Sequence, residues 1–440
     1  MTVKPKIIVL DDDPTGSQTV HSCLLLTRWD VDTLRLGLTD DLPIFFILTN
    51  TRALPPEQAT SVTKEVCHNL KTAIASCNIE DFLIVSRSDS TLRGHYPIET
   101  DAIAEELGPF DAHFLVPAFF EGGRITRDST HYLIIDGVPT PVHTTEFARD
   151  SVFGYQHSYL PSYVEQKTQS RIAAESVERF LLQDIHAGSL ERLLQLKNNQ
   201  CAVVDAQTPA DLDRFAQDIL TAASQGKRFL FRSAASLLTA LAELPPQPVA
   251  AEKMAQYVRE GKPGVAIVGS HVKKTTQQLE LLLQEPNIVS IEVDVAHLLE
   301  AKHERLLANT LEKVHAAHDA GKTPVIYTSR QELAFSDTKT RLEFGADVSS
   351  LLMNIVQNLP ADIGFLISKG GITSNDVLSQ GLALPWARLL GQILPGCSIV
   401  LTPANHLQFP NLPVVLFPGN VGDANALVTV YQRLSKTEKN

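Results

Sequence analysis

The chain has 440 residues, 44% hydrophobic and 20% charged, with 38 Lys and Arg against 50 Asp and Glu and a formal net charge of −12. That balance is globular, not disordered or fibrous, and at roughly 100–200 residues per domain the length predicts two domains. An acidic chain repels phosphate backbones, so no nucleic-acid partner is expected, although a local phosphate site is compatible with it.

Cys23, Cys67, Cys77, Cys201 and Cys397 are odd in number and widely spaced. They suggest neither a disulfide framework nor a zinc ribbon, and fit a reducing compartment. No long apolar run precedes the acidic run at Asp11, and Ile44–Leu48 and Phe114–Phe120 are far too short to span a bilayer. The expectation is a cytoplasmic protein without signal peptide or membrane partner.

In chain order, short apolar bursts fall at Lys6–Leu10, Ile44–Leu48, Phe82–Val85, Phe114–Val116, Ala202–Val204 and Phe229–Phe231. A second series follows at Val265–Val268, Val289–Val293, Val325–Tyr327, Ile363–Ile367, Ser398–Leu401 and Val414–Phe417. Being apolar on consecutive positions, they read as strands buried on both faces of largely parallel sheets. Helical periodicity marks Glu57–Ala75, Pro209–Ala223, Lys273–Leu283, His297–Ala317 and Asp347–Leu359. The alternation predicts an α/β fold of two domains, each a largely parallel sheet flanked by helices, and since a cleft between two domains can close on its substrates, the active site is expected in the inter-domain cleft. Prolines 245, 246, 248 and 263 bracket a polar stretch. The domains are therefore expected at 1–242 and 264–440, joined by a 243–263 linker containing a short helix at Ala250–Arg259. Asp150–Gln169, rich in Tyr, Ser and His, reads equally as a loop near a site or an insertion across a domain face.

Sites in α/β folds lie at the C-terminal ends of parallel strands. Asp11-Asp12-Asp13-Pro14-Thr15-Gly16-Ser17 follows the first strand. Three adjacent carboxylates raise one another's pKa unless donors compensate, a cost that suits a general base or a magnesium contact but also fits a capped turn with solvated aspartates. Ser86 to His95 follows the third strand and carries Arg87, Asp89 and Arg93. Pro117 to Thr126 follows the fourth and carries Gly122-Gly123 and Arg124. Guanidinium forks match carboxylate or phosphate, and hydroxyls bind polyols. Together these strand ends suggest a pocket for a small, anionic, hydroxylated molecule. His95 and His131 lie near enough in sequence to be candidate ligand contacts.

The second half differs. Gly269-Ser270, Ser368 to Ser374 (with Gly370, Gly371, Ile372 and Thr373) and Pro418 to Asp423 (with Gly419) are glycine-bearing strand ends. They can present backbone N–H groups to phosphate, or be ordinary β-α turns. No P-loop or dinucleotide fingerprint is present. The fourteen histidines show no metal spacing, and no metal ligand is assigned.

Taken together, these motifs resemble the four-carbon acid sugar kinase family. Asp11 to Gly16 is similar to its D-D-x-T-G element, Asp89 to Gly94 to D-S-T-L-R-G, and Pro117 to Thr126 to P-A-F-P…G-R-x-T. The resemblance covers roughly Ile7 to Leu434. It departs at Asp13-Pro14, which lengthens the first motif, at Arg87, where lysine is common, and at Phe120-Glu121. It implies an ATP-dependent, magnesium-assisted carbohydrate kinase that phosphorylates a terminal hydroxyl of a small sugar acid such as a threonate, erythronate or oxo-tetronate. ATP is then expected on Ser270, Gly370, Gly371, Ile372, Thr373 and Gly419. The acid is expected on Asp11, Asp13, Arg87, Asp89, Arg93 and Arg124, with one of Asp11–Asp13, Asp12 first among them, as proton acceptor. The alternatives are a kinase for a neutral sugar or ketose, or a non-catalytic nucleotide or metabolite sensor. The particular acid and the oligomeric state stay open.

Overall fold

The computed structural model describes residues 4–300, 303–330, 333, 338–419 and 421–435. Contacts divide the chain into two compact units, Met1–Pro245 and Pro246–Asn440.

The first unit holds eight parallel strands: β1 (Lys6–Asp11), β2 (Leu24–Leu26), β3 (Ile44–Leu48), β4 (Phe82–Arg87), β5 (Ala112–Val116), β9 (Glu178–Phe180), β10 (Gln200–Val204) and β11 (Phe229–Ser233). Their order is β2-β3-β1-β4-β11-β5-β10-β9. A separate antiparallel sheet joins β6 (Arg124–Arg127), β7 (Thr130–Ile135) and β8 (Val138–Pro141). The expected bursts are strands because both faces are covered: β3 and β5 are buried at every position. Phe114 anchors that core, its ring 5.3–5.9 Å from those of Phe180, Phe215, Phe229 and Phe231. The expected helix at Pro209 runs to Ser224. Pro209 opens it, Asp211 accepts the Thr208 N–H at 2.8 Å, and Leu212, Phe215 and Ile219 face inward.

The second unit holds β12 (Val265–Val268), β13 (Ile288–Val293), β14 (Thr323–Thr328), β15 (Leu366–Lys369), β16 (Trp386–Leu394), β17 (Cys397–Leu401) and β18 (Pro413–Phe417). The order is β13-β14-β12-β15-β18-β17-β16, parallel from β13 to β18 and antiparallel for the last two pairings. The strand expected at Ile363–Ile367 lies later, ending at Lys369. The expected helix His297–Ala317 is a 3-10 turn, Val295–Glu300, followed by a helix at His303–Asp319, and residues 301–302 lie outside the described set. The proline-bracketed stretch expected to link the domains carries a 3-10 helix, Ala251–Tyr257, and buries Met254 in the core of the second unit.

Each sheet has a strand whose neighbours on its two sides are reached by connections running in opposite directions. In the first, the chain leaves β1 toward β3 on one side and returns to β4 on the other. In the second, β14 and β15 flank β12 in the same way. A crevice opens at the carboxyl end of such a pair, because the two outgoing connections diverge there. The loops after β1 and β4, and those after β12 and β15, carry four of the six polar or glycine-bearing motifs, and the other two follow β5 and β18.

Candidate functional site

In the first unit the centre of the polar cluster is Arg52, a residue the sequence reading passed over. It lies in a 3-10 turn just after β3. Its Nη2 and Nε donate to Asp12 Oδ1 and Oδ2 at 2.5 and 3.1 Å. Its Nη1 lies 3.4 Å from Asp13 Oδ2 and 4.0 Å from Asp89 Oδ1. The Ser88 hydroxyl adds a bond to Asp12 Oδ2 at 2.9 Å, and Arg87 Nη1 lies 3.2 Å from Asp11 Oδ1 and 3.6 Å from Asp12 Oδ1. Asp12 is 1% exposed. Burial works to raise its pKa, but Arg52 and Arg87 outweigh it and hold the carboxyl below its ordinary value. An ionised carboxylate with both oxygens occupied is an anchor for arginine. The proton-acceptor role expected of Asp12 therefore fits its surroundings poorly.

Among the described residues, Asp13 and Asp89 each keep an oxygen that accepts no hydrogen bond, and Arg52 Nη1 faces both, at 3.4 and 4.0 Å. On Asp13, Oδ1 is taken by the Thr15 N–H and hydroxyl, leaving Oδ2. On Asp89, Oδ2 accepts from Thr91 and from Arg93 Nε at 2.9 Å, leaving Oδ1. Burial opposes ionisation of Asp89, but Arg93 and Arg52 prevail and hold it well below the usual carboxylate range.

Asp11 behaves oppositely. It is fully buried, its Oδ2 has no hydrogen-bond partner, and burial pushes its pKa up to about 7 against the pull of Arg87. A carboxyl raised in the folded state stabilises the fold at acid pH, and that contribution is lost as pH rises through about 7. Asp11→Asn should therefore gain melting temperature relative to the native chain as pH climbs from about 4 to about 8. Parallel melting curves would show that Asp11 is an ordinary ionised carboxylate.

Arg93 is enclosed. Beyond Asp89, its Nη1 lies 3.8 Å from Asp150 Oδ2 and its guanidinium stands 5.0 Å from the Phe147 ring. Arg124, opening β6, donates to the Gly122 carbonyl and lies 5.9 Å from the Phe119 ring. It has no carboxylate within ion-pair distance among the described residues, and its buried Nε lacks a partner.

Residues 150–169 serve this cluster. The Tyr155 hydroxyl donates to the Thr91 carbonyl at 2.6 Å and that of Tyr163 to Leu92 at 2.9 Å, bracing the loop where Leu92 takes a φ of +67°. The two histidines read as candidate ligand contacts brace the backbone instead. His131 Nε2 donates to Ser90 O at 2.8 Å while Nδ1 accepts the Thr126 hydroxyl at 2.9 Å. Burial lowers its pKa to about 4, so the ring is neutral. His95 Nε2 reaches the carbonyls of Thr51 and Leu54 at 3.1 and 3.0 Å.

In the second unit, Ser270, Gly370, Gly371, Ile372 and Thr373 line one cavity of about 410 Å³, within the range of small-ligand pockets. Val348 and Met353 add apolar wall, and Ile372 is 67% exposed. Gly370 adopts φ +124°, ψ 142°, a conformation closed to other residues, and a Cβ there would lie 3.1 Å from that of Ser270. Gly419 sits beside this wall: the Thr275 hydroxyl bonds its carbonyl at 3.0 Å and lies 3.3 Å from Ser270 Oγ. Asn420, part of the same expected loop, lies outside the described residues.

No group of three or more His, Cys, Asp or Glu is arranged to hold a metal among the described residues, and no described helix is long and apolar enough to cross a membrane. The Asp11–Asp13 carboxylates are engaged by arginine, so the first unit does not fit a resident magnesium ion.

Residues 7–241 match the model of a sugar-binding N-terminal domain, and residues 265–427 that of a nucleotide-binding C-terminal domain. The chain is 24% identical to a D-erythronate kinase of Heliobacterium modesticaldum, over 96% of this chain and 95% of that one. Its fold is similar to that of a candidate tRNA synthase of Salmonella typhimurium LT2, with a TM-score of 0.71, 19% identity, and coverage of 97% of this chain and 98% of that one. A Haemophilus influenzae protein matches with a TM-score of 0.64 at 18% identity, over 97% of this chain and all of its own.

Proposed function

Because this chain belongs to the four-carbon acid sugar kinase family, we propose that it transfers the γ-phosphoryl group of ATP to a terminal hydroxyl of a small, four-carbon sugar acid. The observation that carries the acid specificity is Arg124, a guanidinium without a carboxylate partner beside a network whose other arginines are already paired. It supplies the counter-charge for the substrate carboxylate. Asp13 Oδ2 accepts the proton of the attacking hydroxyl, which bonds to the γ-phosphorus as the bond to the bridging β,γ-oxygen breaks and ADP leaves. Asp12, Arg52 and Arg87 hold that aspartate's loop. Magnesium enters as the counter-ion of the triphosphate, part of the substrate. Such transfers need positioning and charge neutralisation more than covalent chemistry. The free cysteines fit a cytoplasmic setting.

The D-erythronate kinase relative supports an acid over a neutral sugar. ADP release measured over three- to six-carbon sugar acids and matching neutral sugars tests this, with release expected from a four-carbon acid. Turnover of neutral sugars alone would reverse the assignment, and saturable nucleotide binding without any transfer would make the protein a sensor.

Nucleotide placement has its own test. Gly370→Val puts a branched side chain where φ is +124°, and should raise the KM for ATP at least about tenfold while sparing that for the acid. An equal rise in both constants, in a folded variant, would argue against a phosphate contact at Gly370.

A further inference from the structure

We propose that Lys369 is a positioning residue of the nucleotide site, a buried amine that completes its protonation when the polyphosphate arrives, so that nucleotide binding takes up a proton. This rests on the reading of the cavity beside it as the nucleotide site.

Lys369 is the last residue of β15, and Gly370, next in the chain, lines that cavity. Its side chain is 0% exposed. Its Nζ donates to the carbonyls of Pro418 and Gly419 at 2.6 and 3.4 Å and stands 3.8 Å from the centre of the Phe417 ring. All three partners are electron-rich and neutral, and no described carboxylate lies within ion-pair distance. Arg87 and Arg232, the buried cations of the first unit, face Asp11 and Glu99 at 3.2 and 2.7 Å. The titratable groups facing Lys369 are Cys397, from β17, and Lys274, from the helix Lys273–Leu282. Burial pushes the Cys397 thiol above its ordinary range, so it is neutral, and Lys274 has the same charge sign as the amine. Among the described residues no group of opposite charge balances an ammonium at this position.

Burial accordingly lowers the amine to about 7. A polyphosphate at Ser270, Gly370 and Gly419 brings the missing negative charge and favours the ammonium form. The ammonium in turn grips the Pro418–Gly419 carbonyls, fixing the turn beside Ser270. The sign follows: affinity is greatest below the free-protein value near 7, and falls as pH rises through it by up to about tenfold per unit until the bound-state value is passed. Lysine suits this role because its pKa yields to burial, whereas arginine remains charged.

Calorimetry of the full chain with Mg·ATP near pH 8, in two buffers of different ionisation enthalpy, tests the proposal. The native protein should take up a sizeable fraction of one proton. Lys369→Met should take up none and lose the pH dependence of ATP affinity. Lys369→Arg should also take up none but keep a pH-independent affinity closer to the native value. Nucleotide binding without proton uptake by the native protein overturns the role of Lys369 alone, and needs no variant to fold. Uptake that persists in Lys369→Met overturns it too. An absence of nucleotide binding overturns the site assignment and the proposal together.

Discussion

Asp13→Asn is expected to fold normally and lose kcat by roughly 10²–10⁴, the worth of a positioned general base, whereas Asp12→Asn should fail first in stability. The two side chains are adjacent but differently engaged. Asp12 holds Arg52 through both oxygens and lies within 3.6 Å of Arg87. Breaking a buried pair by removing one partner costs about 3–5 kcal/mol, because the remaining charge is left uncompensated. Asp13 has a less crowded oxygen, 3.4 Å from Arg52, and its loss leaves Arg52 still paired with Asp12. Chemical denaturation of both variants, followed by steady-state kinetics on the folded fraction, separates anchor from base. A native-like stability for Asp12→Asn with kcat alone reduced would return the base to Asp12, as the family resemblance implied. Near-normal kcat in Asp13→Asn would leave Asp89 Oδ1 and the unpartnered, fully buried Asp11 Oδ2 as the remaining candidates.

Most of the parallel strands were readable because burial on both faces forces apolar residues onto consecutive positions, as in Ile44–Leu48 and Val265–Val268, whereas β2 and β9, three residues each, were too short to register. Strands that escape that rule were not. β16 is antiparallel, only partly buried, and broken in register around Gly391. The arm β6–β8 mixes Arg, Thr and Pro with half-exposed apolar residues, a pattern that reads as loop. The polar strand ends pointed to the site, yet Arg52 was missed although Thr49 to Arg52 follows a buried strand in the same manner as Ser86 to Arg93. Its role depends on three carboxylates from two other loops, which no local spacing records. Lys369 was hidden differently: read as the start of a loop, it is the last residue of a strand, and only the surrounding chain makes it buried. The segment 150–169 hid its helix, Leu160–Lys167, because that helix has only eight residues and the tyrosines around it serve individual carbonyls of a neighbouring loop.

Arg124→Ala should cost sugar-acid binding roughly 2–5 kcal/mol and erase most of the preference for acids over the corresponding neutral sugars. The reason lies in charge accounting around the cluster. Arg52 and Arg87 face Asp11, Asp12 and Asp13, Arg93 faces Asp89 and Asp150, and Arg232 meets Glu99 at 2.7 Å. A substrate carboxylate approaching any of these must compete with a carboxylate already bonded there. Arg124 offers an unshared charge, and burial lowers its pKa because little solvent or counter-charge reaches it, with Asp89 opposing. Binding an anion repairs that deficit, so the favourable exchange is specific to acids. Arg93→Ala gives the contrast. It should loosen the loop that Tyr155 and Tyr163 brace, lowering kcat and affinity for acids and neutral sugars alike, and leave their ratio unchanged. Kinetics of both variants on a four-carbon acid and its polyol, with folding checked by thermal melts, decide between them. If Arg124→Ala keeps the acid-to-polyol ratio and Arg93→Ala loses it, the carboxylate sits against Arg93, and Asp150 must move aside to admit it.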